Sequence, residues 1–266
     1  MKDATTTSPL PVPRGNWRQH IGYALYRGAG KIGWAEPEIS GLAQVVSPGD
    51  TVLDVGAALG MYTVPLAYLT GPEGRVFSVD PQPRNFHVVR FLRAVTGVKR
   101  STIRRIAFGP QQGESKIAVP VILGLPIFGH GHISDGVVEK SKHRIVHTPT
   151  PVDTIDEWVE RDGIEKLSFI KVDVEGFEPS VLEGAHGVIG RDRPSLMLEI
   201  EDRRLVRYGR MTAAQFQSDI LTRWPDYRMY TWSGREWTPA TEVTDEVRNY
   251  LFTTKDLSAA PAAQAA

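Results

Sequence analysis

The sequence predicts an α/β protein built on a mostly parallel, doubly wound sheet with helices on both faces. Two observations carry this. From Thr51 to Ile200, short apolar runs of strand length alternate with segments whose apolar residues recur at helical spacing; that alternation calls for parallel strands joined by crossover helices. The expected strands also end in acids, at Asp54, Asp80 and Asp173. Three carboxylates then share the carboxyl rim of one sheet, where such sheets bind their ligands.

The elements follow in chain order. Residues 1–15 are rich in Thr, Ser and Pro, lack the features of a signal peptide, and are expected to be a disordered N-terminal segment. Residues 16–48 read as a helical cap. Trp17 to Gly33 mixes aromatic and basic residues, Ile39, Leu42, Val45 and Val46 recur at helical spacing, and Ser47-Pro48-Gly49-Asp50 supplies a turn. The main domain is expected over 49–255. It opens with a strand at Thr51–Val55 and a helix at Met61–Leu69, with Pro65 near its start, where a missing N–H costs least. A strand at Arg75–Val79, a helix at Asn85–Val95 and a third strand at Thr102–Phe108 come next. Ser115–Val121 reads as a strand beyond the turn at Gly109–Gly113, and residues 122–150, glycine-rich and carrying His130, His132, His143 and His147, as an irregular inserted loop.

Beyond that loop, Val152–Trp158 begins a helix capped by Asp153 or Thr154. Leu167–Val172 and Ser195–Ile200 are the fourth and fifth strands, with a helix at Pro179–Ile189 between them. Thr212 caps a helix running to Leu221, and Arg228–Trp232 and Asn249–Thr253 close a sheet of about seven strands. The Ala-rich residues 256–266 are expected to be a disordered tail.

Composition narrows the function classes. Lys and Arg number 31 and Asp and Glu 31, so no global field steers the chain to nucleic acid or to an anionic membrane. The absence of cysteine excludes disulfides, thiolate metal sites and cysteine nucleophiles, and fits a cytoplasmic location. No apolar run reaches the ~20 residues of a membrane span.

The most informative segment is Val52-Leu53-Asp54-Val55-Gly56-Ala57-Ala58-Leu59-Gly60. It reads as a buried strand, a glycine-gated turn and the start of a helix, the form of a nucleoside-cofactor loop. The middle glycine of the dinucleotide fingerprint is missing, and Asp54 would repel a pyrophosphate. A cationic, phosphate-free ligand suits the loop better, and S-adenosylmethionine is one. On this reading Asp54 attracts its ammonium, directly or through water, and Gly56, Ala57 and Gly60 let its methionine part lie against backbone. Asp80 accepts from both ribose hydroxyls, Asn85 joins it, and Ala107 and Phe108 lie near the adenine. The bland alternatives are a plain strand-to-helix turn and an acid opening an Asp-Pro turn. The rival functions are an NAD(P)-dependent oxidoreductase, which shares the ribose acid, and a non-catalytic binding protein on the same fold.

The same residues resemble a known family. Val52 to Thr63, the segment Val76-Phe77-Ser78-Val79-Asp80-Pro81, Ala107-Phe108-Gly109, Val152-Asp153-Thr154-Ile155-Asp156, Phe169-Ile170-Lys171-Val172-Asp173-Val174-Glu175-Gly176-Phe177-Glu178 and Val181-Leu182-Glu183-Gly184-Ala185 are similar to the motifs of FkbM-like methyltransferases. That family more often has Glu where this chain has Asp80. The resemblance covers roughly Gly49 to Glu201 and implies the Rossmann-like class I methyltransferase fold, S-adenosylmethionine as donor, and O-methylation of a hydroxyl on a small molecule, natural product, sugar or glycolipid. It names no single acceptor.

Methyl transfer to a hydroxyl needs the acceptor held in line and its proton removed. Asp173, ending the fourth strand, is a candidate base, donor contact or metal ligand. His130 and His132 are the other candidate bases, on a loop able to close over the acceptor. Asp173 with Glu199 or Glu201 could hold Mg²⁺ through carboxylate oxygens; the alternative is that the glutamates pair with Arg203, Arg204 or Arg207. The expected partner is a small-molecule or glycoside acceptor with a free hydroxyl, with no nucleic acid, and the oligomeric state is open, a homodimer among the options.

Overall fold

The computed structural model describes residues 15–98, 100–122, 125–126, 132–133, 144–209 and 211–258. Helix α1 (Trp17–Lys31) comes first, with Asn16 and Gln19 forming a reciprocal capping box, and a 3-10 helix (Pro37–Gln44) follows. Five parallel strands form the heart of the main sheet: β1 (Thr51–Val55), β2 (Arg75–Val79), β3 (Ser101–Arg104), and two later ones. Helices α2 (Thr63–Thr70) and α3 (Pro83–Thr96) are the crossovers between the first three.

Next in the chain come β4 (Ala107–Phe108), β5 (Gly113–Ile122), β6 (Leu125–Pro126), β7 (His132–Ile133) and β8 (Arg144–Asp153). Then follow α4 (Ile155–Arg161), β9 (Phe169–Val172), α5 (Glu178–Glu183), α6 (His186–Asp192), β10 (Ser195–Glu199) and the single turn α7 (Asp202–Arg204). A π-helical turn (Leu205–Gly209), α8 (Ala213–Arg223), β11 (Arg228–Trp232), β12 (Trp237–Pro239) and β13 (Asn249–Thr253) complete the described elements.

The main sheet has eight strands in the order β12-β11-β13-β10-β9-β1-β2-β3. Strands β10, β9, β1, β2 and β3 pair in parallel, and β13 inserts antiparallel between β10 and β11. This is the doubly wound arrangement expected of the class I methyltransferase fold, with the short edge strand β12 added. Its strands are apolar on both faces because helices cover both. Leu53, Val55, Phe77, Ile170 and Leu198 face one core cluster, with Trp158 of α4 and Phe216 of α8. Val52, Val76, Phe169, Met197 and Leu251 face the other, beneath α2 and the 3-10 helix.

Three sequence expectations change. The segment 102–108 is not one strand: β3 ends at Arg104, and Ala107–Phe108 joins a second sheet by pairing with Val152 and Asp153. That second sheet has the order β4-β8-β5-β6, with β7 also on β5. The stretch assigned to an irregular loop therefore ends in a ten-residue strand, paired antiparallel along β5 from Gly113↔Val152 to Val121↔Arg144. Finally, the helix expected at 179–189 is two short ones, broken at Gly184-Ala185. A Cβ on Gly184 would stand 2.0 Å from the carbonyl oxygen of Gly109, so this break is where the chain after β9 packs against the chain after β4.

Candidate active site

The carboxyl ends of β1, β2 and β9 open into a cavity of about 240 Å³. Its lining is of three kinds. Ile106, Ala107, Phe108 and Ile117 are apolar; Asp80, Gln82 and Asn85 are polar; Asp173 and Glu175 are an acidic pair, which with Gly56 and Ala58 of the first loop we call the acidic end.

Asp80, the residue after β2, is buried. Its Oδ2 accepts from the Ala58 backbone N–H at 2.9 Å and from Asn85 Nδ2 at 3.0 Å, and its Oδ1 accepts from the Gln82 N–H at 2.8 Å. Burial raises its pKa, and the bonds from Gln82, Asn85 and Ala58 oppose that rise. A carboxylate has about four acceptor positions, so Oδ1 keeps one. Asn85 is buried on α3, and its Oδ1 has no hydrogen-bond partner. An orphaned buried acceptor is costly. Here it stands beside Asp80, and Asn85 forms part of the cavity wall.

The loop after β1 is shaped by contact with β9. Gly56 has φ +82°, and a Cβ there would lie 1.9 Å from the Asp173 carbonyl oxygen. Glycine is thus required where the first loop crosses the end of the fourth parallel strand. Two non-glycine residues of the cavity wall also have positive φ, Ala58 at 42° and Glu175 at 61°. Such backbone is strained and is held by its surroundings. Ala58 is held by its bond to Asp80. At Glu175, Glu178 accepts the N–H groups of Val174 and Gly176 on either side.

Asp54 is buried beside the loop it precedes. It lies inside β1 rather than at its end, and the two-residue strand period puts it on the same face as Val52, beneath α2. It is 2% exposed and outside the cavity wall, and its Oδ2 accepts from Thr63 Oγ1 at 2.6 Å. Burial pushes its pKa up to about 7, against the Thr63 hydrogen bond and the Lys171 charge. Of the two modes expected of it, attraction of a ligand's ammonium directly or through water, this burial favours the second. Ala57 and Gly60 are also buried outside the wall, whereas Gly56, Asp80, Asn85, Ala107, Phe108 and Asp173 line it.

Beneath the acidic end lies a charge that the sequence reading passed over. Lys171 is 1% exposed, its Nζ donating to Asn249 Oδ1 at 2.9 Å. It lies 3.6 Å from Asp173 and 3.9 Å from Glu36, and 5.0 Å from the centre of the Tyr62 ring. Glu36 in turn accepts from Tyr62 Oη at 2.5 Å and from Asn249 Nδ2 at 2.9 Å. Burial alone would lower the Lys171 pKa, but Glu36, Asp173, Glu199 and Asp54 outweigh it and the net shift is upward. The signal was present in the sequence as a lysine inside the apolar run Phe169-Ile170-Lys171-Val172.

The carboxylates offered as a metal site are engaged otherwise. Arg204 is hydrogen-bonded to Glu199 at 2.8 Å, pairs with Glu201 at 2.7 Å and also contacts Glu175. Glu201 is further held by Arg248. Among the described residues no group of His, Asp or Glu has metal-holding geometry. Burial, and then the neighbouring Asp173, raise the pKa of Glu199. His130 lies outside the described residues, and of His132 only the backbone, in β7, is described. Met61, Gln82, Ile106, Ile117 and Glu175 line the cavity without having been named as site residues. Gln82, Ile106 and Glu175 follow a strand end by two or three residues, the signal that could have found them, whereas Ile117 lies inside β5 and Met61 well past β1.

Comparison with solved structures returns crystal structures of similar shape. An FkbM methyltransferase from Methylobacillus flagellatus shares 18% identity at a TM-score of 0.48, the match covering 91% of this chain and 56% of that one. The chain thus spans little more than half the length of that relative. An O-methyltransferase from Bacillus cereus in complex with SAH shares 12% identity over 93% of this chain and 92% of its own, with a TM-score of 0.46. Aeropyrum pernix fibrillarin with natively bound S-adenosyl-L-methionine shares 15% over 79% and 67%, at 0.41. The sequence has no match among curated proteins. The family model for the methyltransferase FkbM domain matches residues 54–251, from within β1 to within β13, and the chain belongs to that family.

Proposed function

We propose that this chain transfers a methyl group from S-adenosylmethionine to the hydroxyl oxygen of a small-molecule, sugar or glycolipid acceptor. The observation that carries the donor assignment is the pair Asp80 and Asn85. One open acceptor position on Asp80 Oδ1 suits a ribose hydroxyl, with Asn85 beside it orienting the carboxylate, in a cavity that has both apolar and acidic lining. The adenine would lie against Ala107, Phe108 and Ile117, and the charged methionine end toward Asp173 and Glu175. The donor, when bound, supplies an activated methyl group and its leaving group.

The protein's part is to hold the acceptor and take its proton. Asp173 is our candidate base: it lines the cavity, its side chain is 26% exposed, and Lys171 faces it at 3.6 Å. Gly56 packs on its backbone and Lys171 faces its side chain, so its position is fixed from two sides. A cytoplasmic location fits a chain with no cysteine, and among the described residues no helix is long and apolar enough to cross a membrane.

Donor binding is tested by a thermal-shift comparison of S-adenosylhomocysteine with NADH. Stabilisation by the first alone supports the proposal, and stabilisation by NADH alone refutes it. Transfer to oxygen is tested by single turnover on a panel of hydroxylated acceptors, with Asp173→Asn expected to slow transfer by at least about a hundredfold while donor affinity changes less.

A further inference from the structure

Helix α1 is turned the wrong way for an ordinary surface helix. It buries only Gln19 and Tyr23, while Trp17, Ile21 and Leu25 are 67%, 48% and 68% exposed. On α3, which packs beside it, Phe91 and Val95 are also exposed. Between the two helices runs an open apolar groove of about 750 Å³, with Val64 and Leu92 in its wall. Ile32 and Trp34, just past the end of α1, are exposed as well. A contiguous apolar surface of this kind marks an interaction site.

Its charge indicates the partner. Helix α1 carries Arg18, Arg27 and Lys31, α3 carries Arg84, Arg90 and Arg93, and neither helix contains an Asp or Glu. In a chain whose 31 cations match 31 acids, this is a local concentration of one sign. Among the described ion pairs none joins Arg18, Arg27, Lys31 or Arg90 to a carboxylate. A two-fold dimer through this face would set the cations against themselves. Tryptophan and aliphatic side chains ringed by arginine and lysine instead fit the boundary of an anionic bilayer, where acyl chains receive the first and phosphates the second.

We infer that the α1–α3 face docks the protein on the surface of an anionic lipid bilayer. The binding is peripheral and independent of the donor cavity, which it adjoins only through α3, whose first turn carries Asn85 and whose last turns carry Phe91 and Val95.

The test is co-sedimentation of the full chain with phosphatidylcholine vesicles, with and without about one-third phosphatidylglycerol. The wild type is expected to pellet with the anionic vesicles and to be released by salt. Ile21→Glu with Leu25→Glu should weaken the partition by roughly tenfold or more. Arg18→Gln and Arg90→Gln should weaken it by roughly fivefold each. Circular dichroism melts check that each variant is folded, and the arginine variants keep the test open if the glutamate pair does not fold. Wild-type protein that stays in the supernatant with anionic vesicles overturns the inference. So do folded variants that pellet as the wild type does, or a solution dimer abolished by Leu25→Glu.

Discussion

A side chain of even one carbon at Gly56 would stand 1.9 Å from the carbonyl oxygen of Asp173. The first loop and the end of the fourth parallel strand are therefore in backbone contact, and the acidic end of the cavity is built by that contact. Gly56→Ala would face both this clash and a φ of +82°. It is expected to destabilise the fold by about 2–4 kcal/mol, read from urea unfolding. Gly190→Ala, where an added Cβ meets nothing within 4 Å, is the control and should cost little.

Lys171 should contribute strongly to stability. Replacement by Met removes the cation shared by Asp173, Glu36 and Asn249 while keeping the length of the side chain. Leaving buried acids without their counter-charge costs about 3–5 kcal/mol, so Lys171→Met should unfold at markedly lower temperature. A melting point within experimental error of the wild type would contradict the network as described.

Asp54 makes a prediction with a sign. Its pKa is raised by burial to about 7, against ~3.9 in an unfolded chain. Between those values the folded state holds a proton that the unfolded state does not. Its contribution is present in full below the unfolded value and is lost as pH rises through about 7. Asp54→Asn can still accept from Thr63 and carries no charge. It should therefore raise the melting temperature more at pH ~8 than at pH ~5. Because Asp54 is outside the cavity wall, the same variant should bind S-adenosylhomocysteine within a few-fold of the wild type.

Arg204 engages Glu199 and Glu201, the carboxylates the sequence offered as metal ligands. Adding a chelator should leave both the melting temperature and donor binding unchanged. Arg204→Gln should destabilise the protein by roughly 2–4 kcal/mol, since several partly buried carboxylates lose one shared cation. If instead Mg²⁺ stabilised the wild type in a manner abolished by Glu199→Gln, the carboxylates would have to be read as metal ligands.

The sheet was legible because its strands are buried on both faces and so stand out as apolar runs between helical repeats. The acids at Asp80 and Asp173 were legible because a charge ending such a run has nowhere to go but the rim. The burial of Asp54 was not legible, because the two-residue strand period places it on the face of Val52, and which face a helix covers is decided by the fold. The second sheet was hidden for a different reason. The register of β5 against β8 depends on a partner some thirty residues away, across a glycine-rich stretch, and local pattern carries no record of such pairing. Lys171 and Arg204 show the same limit: their roles are set by which carboxylates the fold brings near, while the sequence shows only that a cation is present.

The central claim is that Asp80 and Asn85 together receive the sugar of the methyl donor, and calorimetric titration with S-adenosylhomocysteine tests it most directly. The wild type should bind one equivalent saturably. Asp80→Ala and Asn85→Ala should each weaken binding, by roughly tenfold or more for the charged residue, and Asp54→Asn should not. No heat of binding to the folded wild type, or undiminished affinity in both the Asp80 and Asn85 variants, would contradict it.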